Sequence, residues 1–125
     1  MQLSDDILSR IREASAADYD DRAFLFMLAA IEFVQSRLEV RRHVTGAELA
    51  WACRDLASHQ FGLLARAVLA HWGVTRTEDL GRIVYALVGA GLLVTQPDDR
   101  EEDFAGVYEF ESAFDESYVW GFSGA

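Results

Sequence analysis

Lysine is absent from this chain, and all eleven of its basic residues are arginine. Schiff-base catalysis and a Walker-type phosphate loop both depend on the lysine amine. The composition therefore excludes both kinds of chemistry.

Cysteine is nearly absent as well, since Cys53 is the only one. One cysteine cannot form an intramolecular disulfide, which favours a reducing, intracellular environment. The N-terminal stretch MQLSDDILSR is too polar and acidic to be typical of a secretory signal, so we expect a cytoplasmic protein. Cys53 lies among apolar helix positions such as Leu49 and Leu56, which predicts a buried and unreactive thiol.

Long hydrophobic runs are also missing. The longest, residues 23–34, is interrupted by Glu32, whereas a bilayer span takes about 20 apolar residues. We expect this run to be a core helix and do not expect a membrane partner.

Catalytic and metal-binding motifs are not evident. His43, His59, His71 and Cys53 lack the paired spacing of a zinc site, and no serine or cysteine lies in a nucleophile elbow. The acidic residues after Pro97 do not follow the spacing of a calcium-binding EF-hand loop. We therefore expect no enzymatic activity, no cofactor and no metal.

The strongest positive feature is an acidic and aromatic C-terminal segment, residues 97–125. It holds nine carboxylates and one base, Arg100, and so carries −8 of the formal net charge of −10. A surface of this kind suits a basic protein partner and repels nucleic acid.

A chain of 125 residues is typical of a single domain. We expect residues 1–125 to form one domain with an N-terminal helix over 1–15, a helical core over 22–96, a β-hairpin over 92–111 and an acidic-aromatic tail over 112–125.

Hydrophobic periodicity and capping signals divide the core into helices. They predict helices over residues 22–40, 46–58, 61–72 and 78–89. Thr45 and Glu48 have the spacing of a capping box, and Gly73 lies where a left-handed residue would end a helix.

Two strand-like segments follow the helices. Leu92–Gln96 is apolar and β-branched, and Val107–Glu111 alternates between apolar and acidic residues. They predict a hairpin with an acidic loop at its tip, which we define as residues 98–103. The predicted fold class is therefore mainly α (α+β), a winged-helix-like helical domain with a C-terminal β-hairpin.

Two resemblances accompany these patterns. The order of elements over residues 68–110 resembles a winged helix. A second resemblance rests on the segments His43–Leu49, Phe61–Gly62, Trp72–Val74, Thr77–Tyr85, Phe104, Val107–Glu111 and Phe114. Through these segments, the chain from about Arg22 to Phe114 resembles a family of small, uncharacterised bacterial proteins, which implies a cytosolic single domain and supplies no active site.

The leading functional hypothesis is a non-enzymatic protein-binding or adaptor module that acts through its acidic-aromatic surface. Aromatic side chains are common anchors of interfaces, and charges steer association. The candidate partner-binding residues are Asp98, Asp99, Glu101, Glu102, Asp103, Tyr108, Phe110, Tyr118 and Trp120. The partner is expected to be a protein, a basic one being favoured, and a homodimer is a special case.

The alternative is a winged-helix-type transcriptional regulator linked to nucleic acid. Arg76 and Arg82 would then contact DNA from the turn and the recognition helix, residues 77–89. The acidic loop opposes this hypothesis, because a wing that contacts phosphate needs positive charge.

Overall fold

A computed structural model of the chain describes residues 9–10 and 19–116. These residues are mainly helical, as predicted. Four α-helices lie within 19–116, namely α1 (Asp21–Ser36), α2 (Gly46–Phe61), α3 (Ala65–His71) and α4 (Thr77–Gly89). Shorter turns complete the described fold: a 3-10 turn at Gly62–Leu64, another at Glu101–Phe104, and a π-helical turn at Glu111–Glu116.

The helix ends follow the sequence signals closely. The Thr45 hydroxyl accepts a hydrogen bond from the amide of Glu48 (3.1 Å), and the Glu48 carboxylate accepts one from the amide of Thr45 (3.0 Å), which confirms the capping box that starts α2. After α3, Gly73 has φ = 94° and the Val74 amide donates to the Leu69 carbonyl (2.9 Å). This is the Schellman geometry that ends a helix with a left-handed glycine.

The predicted N-terminal helix lies mostly outside the described residues. Ser9 and Arg10 are described, and both are helical. Within the described ranges, no helix has the length and apolarity needed to cross a bilayer.

The β-hairpin predicted over 92–111 is not confirmed, because the described residues contain no strand. The amide of Leu92 donates instead to the carbonyl of Leu87 (3.0 Å), so Leu92 completes the end of α4 rather than beginning a strand. Further along, Phe104 is 3% exposed and fixes the acidic loop against the helices. This segment is thus held by single side chains buried against the helices, and not by the hydrogen bonds between strands that the alternating pattern predicted.

Two glycines allow Phe104 to lie close to the helices. A Cβ on Gly46 of α2 would be 2.9 Å from the Cβ of Asp103 and 3.1 Å from Cε1 of Phe104. A Cβ on Gly81 of α4 would be 3.0 Å from the Cβ of Phe104 and 3.1 Å from the carbonyl oxygen of Glu101. The acidic loop is therefore packed against α2 and α4 through contacts that only glycine permits.

This packing predicts that Gly81→Ala destabilises the fold even though alanine is the better helix former. Alanine in a helix gains up to about 1 kcal/mol over glycine, but overpacking costs about 1–3 kcal/mol. We expect a net loss of about 1 kcal/mol in the free energy of unfolding, measured by chemical denaturation.

Gly89→Ala is the matched control. A Cβ at Gly89 meets nothing within 4 Å, so the same substitution in the same helix should be neutral or stabilising. Equal stability changes in the two variants would show that the close approach of Phe104 to α4 is not a real constraint.

Candidate functional site

The acidic loop covers one side of an apolar cleft with a volume of about 170 Å³. The cleft lies between α1, the start of α2, α4 and the segment 93–103. Its apolar floor is formed by Ile31, Val44, Leu49, Val84, Val88 and Phe104. The sequence does not predict this cleft, because apolar residues at helical spacing are expected in the interior of a helical domain.

The rim of the cleft is polar, and its two carboxylates stand beside one guanidinium group. It includes Gln35, His43, Tyr85, Asp99, Arg100 and Asp103. His43 Nε2 and Asp99 Oδ1 are 2.9 Å apart, so this pair links the acidic loop to the segment before α2. Burial raises the pKa of the Tyr85 hydroxyl, and the nearby carboxylates of Asp99 and Asp103 raise it further.

Two carboxylates of the acidic loop hold the loop in shape. Asp99 Oδ2 accepts a hydrogen bond from the amide of Gln96 (2.7 Å), and Asp103 Oδ2 accepts one from the amide of Arg100 (3.0 Å). These bonds satisfy backbone donors in the same way as a helix cap. Asp99 and Asp103 are therefore structural as well as charged.

The other three carboxylates of the loop face solvent. Asp98, Glu101 and Glu102 are exposed, and their carboxylates form no hydrogen bond or ion pair with another described residue. They are therefore open to contact with a binding partner.

The arginines, in contrast, are largely neutralised by acids outside the loop. Seven of them form ion pairs within the described residues, and none of these pairs uses a carboxylate of residues 98–103. The pairs are Arg22–Asp20, Arg37–Asp55, Arg41–Glu32, Arg42–Glu48, Arg54–Asp55, Arg66–Asp115 and Arg82–Asp79. The loop carboxylates therefore lie on a surface on which most of the described arginines are already paired with other acids.

The candidate nucleic-acid residues lie around a buried carboxylate. Asp79 is 6% exposed and accepts hydrogen bonds from the Tyr19 hydroxyl (2.7 Å) and from the amides of Thr75 (2.9 Å) and Arg76 (3.1 Å). Arg82 Nη1 donates to the same carboxylate at 3.1 Å. The charge of Arg82 is therefore paired with the buried Asp79 carboxylate near the start of α4.

Thr77 is a residue type that favours helix caps and lies just before the predicted helix 78–89, but it has another role. Its side chain is fully buried, and its hydroxyl accepts a hydrogen bond from the amide of Val107 (3.2 Å). The Asp79 carboxylate accepts hydrogen bonds from the amides of Thr75 and Arg76, the two residues that precede α4.

The aromatic part of the candidate interface divides into two groups. Phe110 is 5% exposed and packs on Phe114 at a ring separation of 5.0 Å, so its ring belongs to the core of the chain itself. Tyr108 is half-buried, and its hydroxyl donates to the Ala50 carbonyl at 2.8 Å. Tyr118 and Trp120 lie outside the described residues.

One aromatic side chain that the sequence did not single out is accessible. Trp51 is 43% exposed and packs against the Tyr108 ring, with a centroid separation of 4.6 Å. The sequence does not distinguish Trp51, because it lies off the apolar face of α2, at a position where surface residues are expected.

Residues with catalytic or metal-binding chemistry are not grouped in the described structure. Cys53 is 1% exposed, and burial raises the pKa of its thiol. No cluster of three or more His, Cys, Asp or Glu side chains suited to a metal ion occurs in residues 9–10 and 19–116.

No family model, curated protein or solved structure matches this chain. The resemblance to a family of small bacterial proteins therefore stays a prediction.

The Asp79 network predicts a pH-dependent loss of stability. Burial raises the pKa of Asp79, but the hydrogen bonds from Tyr19, Thr75 and Arg76 and the charge of Arg82 outweigh burial, so the pKa lies below its usual value. A depressed pKa in the folded state means that the ionised carboxylate contributes stability above the unfolded pKa of about 4. That contribution is lost as the pH falls through the folded pKa.

Asp79→Asn should therefore lower the free energy of unfolding by about 1–3 kcal/mol at neutral pH. The difference from the wild type should shrink as the pH falls below about 4, as measured by urea denaturation at several pH values. A constant difference across that range would contradict the assigned role of the charge.

The position of Cys53 predicts slow reaction with thiol reagents in the native state. Dithionitrobenzoate should modify the thiol only at the rate of unfolding and at once in denaturant, because a buried thiol with a raised pKa is both inaccessible and protonated. Rapid stoichiometric labelling of the native protein would refute this burial.

Proposed function

We propose that this chain is a non-enzymatic protein-binding module that recognises a basic segment of a partner through its acidic loop. The observation that carries the proposal is the uneven pairing of charge. The carboxylates of Asp98, Glu101 and Glu102 form no hydrogen bond or ion pair within the described chain, whereas seven arginines already form an ion pair.

Unpaired charges of one sign on a packed surface favour association with the opposite sign. The loop is held in one shape by the Asp99 and Asp103 hydrogen bonds and by the buried Phe104 ring. A partner therefore meets a charge pattern that is ordered in advance, and little conformational entropy is lost on binding.

The arrangement of α3, the turn at residues 72–76 and α4 is the feature that favours the alternative, a winged-helix-type regulator. Its supposed recognition helix begins with Glu78 and Asp79, and Arg82 is paired with Asp79 at 3.1 Å. Arg76 alone of the two candidate arginines makes no ion pair with a described residue. Phosphate binding requires net positive charge at this face, so we propose the basic protein partner instead.

Fluorescence anisotropy with two labelled probes tests the proposal. One probe is a peptide of alternating Arg and Ser, and the other is a short DNA duplex. We expect binding of the peptide at about 0.01 M ionic strength and much weaker binding at about 0.15 M, because the Debye length falls from about 30 Å to about 8 Å. Binding of the duplex but not of the peptide would favour the transcriptional regulator.

The triple variant Asp98→Asn, Glu101→Gln, Glu102→Gln locates the interaction. It removes three charges but retains Asp99 and Asp103, whose hydrogen bonds shape the loop. We expect peptide affinity at low salt to fall about tenfold, since exposed pairs contribute up to about 1 kcal/mol each.

The matched control is Glu39→Gln, Glu109→Gln, Glu111→Gln. These three glutamates are also exposed and lack a side-chain partner among the described residues. An equal loss of affinity in both triple variants would mean that net charge, and not the acidic loop, attracts the peptide.

A further inference from the structure

We infer, building on the proposed function, that the cleft binds one apolar side chain of an extended basic peptide segment, whose backbone pairs with residues 93–95. The basic side chains on either side of that apolar residue then meet the acidic loop. The occupant is thus defined by three features of the cleft: its size, its backbone edge and its charge.

The volume of the cleft fits one side chain. It measures about 170 Å³, and an apolar cavity of about 150 Å³ holds one benzene molecule. A leucine or phenylalanine side chain is of this size. The floor offers it the side chains of Ile31, Val84 and Val88.

The edge of the cleft presents backbone groups without partners. Leu93, Val94 and Thr95 line the cleft, and their amides make no hydrogen bond to another described residue. Val94 is 92% exposed. The same residues have the β-branched, apolar composition of a strand, so an extended peptide can supply the backbone pairing that the chain does not.

The charge of the rim selects the sequence around the apolar residue. Asp99, Arg100 and Asp103 border the cleft, and Glu101 follows on the same loop, so the carboxylates outnumber the one guanidinium group there. Arginine or lysine beside the inserted residue would form charge-assisted contacts there. An acidic peptide of the same apolar content would be repelled.

Charge also argues against two other occupants. A second copy of this chain carries the same net charge of −10, so like charge disfavours its approach to the acidic loop. Residues 117–125 contain no basic residue, so the C-terminal stretch of the chain itself lacks the complementary charge.

Two labelled peptides that differ at one position test the inference. Both alternate Arg with neutral residues, and the central residue is Leu in one and Ser in the other. We expect the full chain to bind the Leu peptide roughly ten- to a hundredfold more tightly, the range given by burial of one large apolar side chain. Equal affinity for the two peptides would overturn the inference and leave the proposed function standing.

Filling the cleft should remove that preference. Val88→Phe places a larger side chain on the floor, and Ile31→Phe does so from α1 as an independent variant, both at half-buried positions. We expect both variants to bind the two peptides equally and to keep the salt dependence of the wild type. Val40→Phe is the control, because Val40 is 76% exposed and lies outside the cleft lining. It should retain the full preference for Leu.

The triple loop variant separates the two proposals. It should weaken both peptides and retain the preference for Leu. Binding of the Leu peptide that is indifferent to salt and to the loop substitutions would contradict the proposed function while leaving the cleft as an apolar site.

Amide hydrogen exchange followed by NMR tests the backbone pairing directly. At least one amide of Leu93, Val94 or Thr95 should exchange more than tenfold more slowly in the presence of saturating Leu peptide. No slowing at any of the three would overturn the backbone part of the inference. Sedimentation velocity on the same samples would detect a second copy as the occupant, and dimer formation without peptide would also overturn it.

Discussion

The fit of Phe104 between α2 and α4 is the contact on which the rest of this surface depends. The ring is buried, and glycines at positions 46 and 81 leave the space it needs. Without this anchor, the acidic loop would be an unstructured run of like charges, which repel one another and favour extended chain. With it, the loop forms one wall of the cleft and holds its carboxylates at fixed positions.

The second organising feature is the division of charge over the surface. Arginine guanidinium groups form pairs with carboxylates of α1, α2, α4 and their flanking turns, and the acidic loop contributes to none of them. Exposed pairs of this kind add little to stability. Their larger effect is electrostatic, since they compensate most of the described arginines and leave the carboxylates of the acidic loop without an arginine partner.

The helical part of the fold could be predicted because its signals are local. The Thr45–Glu48 capping box and the left-handed Gly73 are found at the positions where short-range spacing placed them. The region after Gly91 could not be predicted, because the alternating pattern of residues 107–111 is compatible both with a half-buried strand and with single side chains buried against helices. Phe110 packs on helices and not in a sheet. The acidic part of the site could be predicted from the composition. The cleft could not, because it depends on the packing of Phe104 against Gly46 and Gly81, three positions far apart in sequence.

The unpaired backbone beside Val94 has a consequence for the behaviour of the protein in concentrated solution. An open, β-prone edge with an exposed valine is a site where identical molecules tend to aggregate, and neighbouring carboxylates are a common safeguard against this. The carboxylates that would attract a basic peptide thus also repel other copies of the chain. Replacement of these carboxylates to suit an uncharged peptide would also weaken the protection against aggregation. Peptide specificity and resistance to aggregation are therefore coupled at this edge.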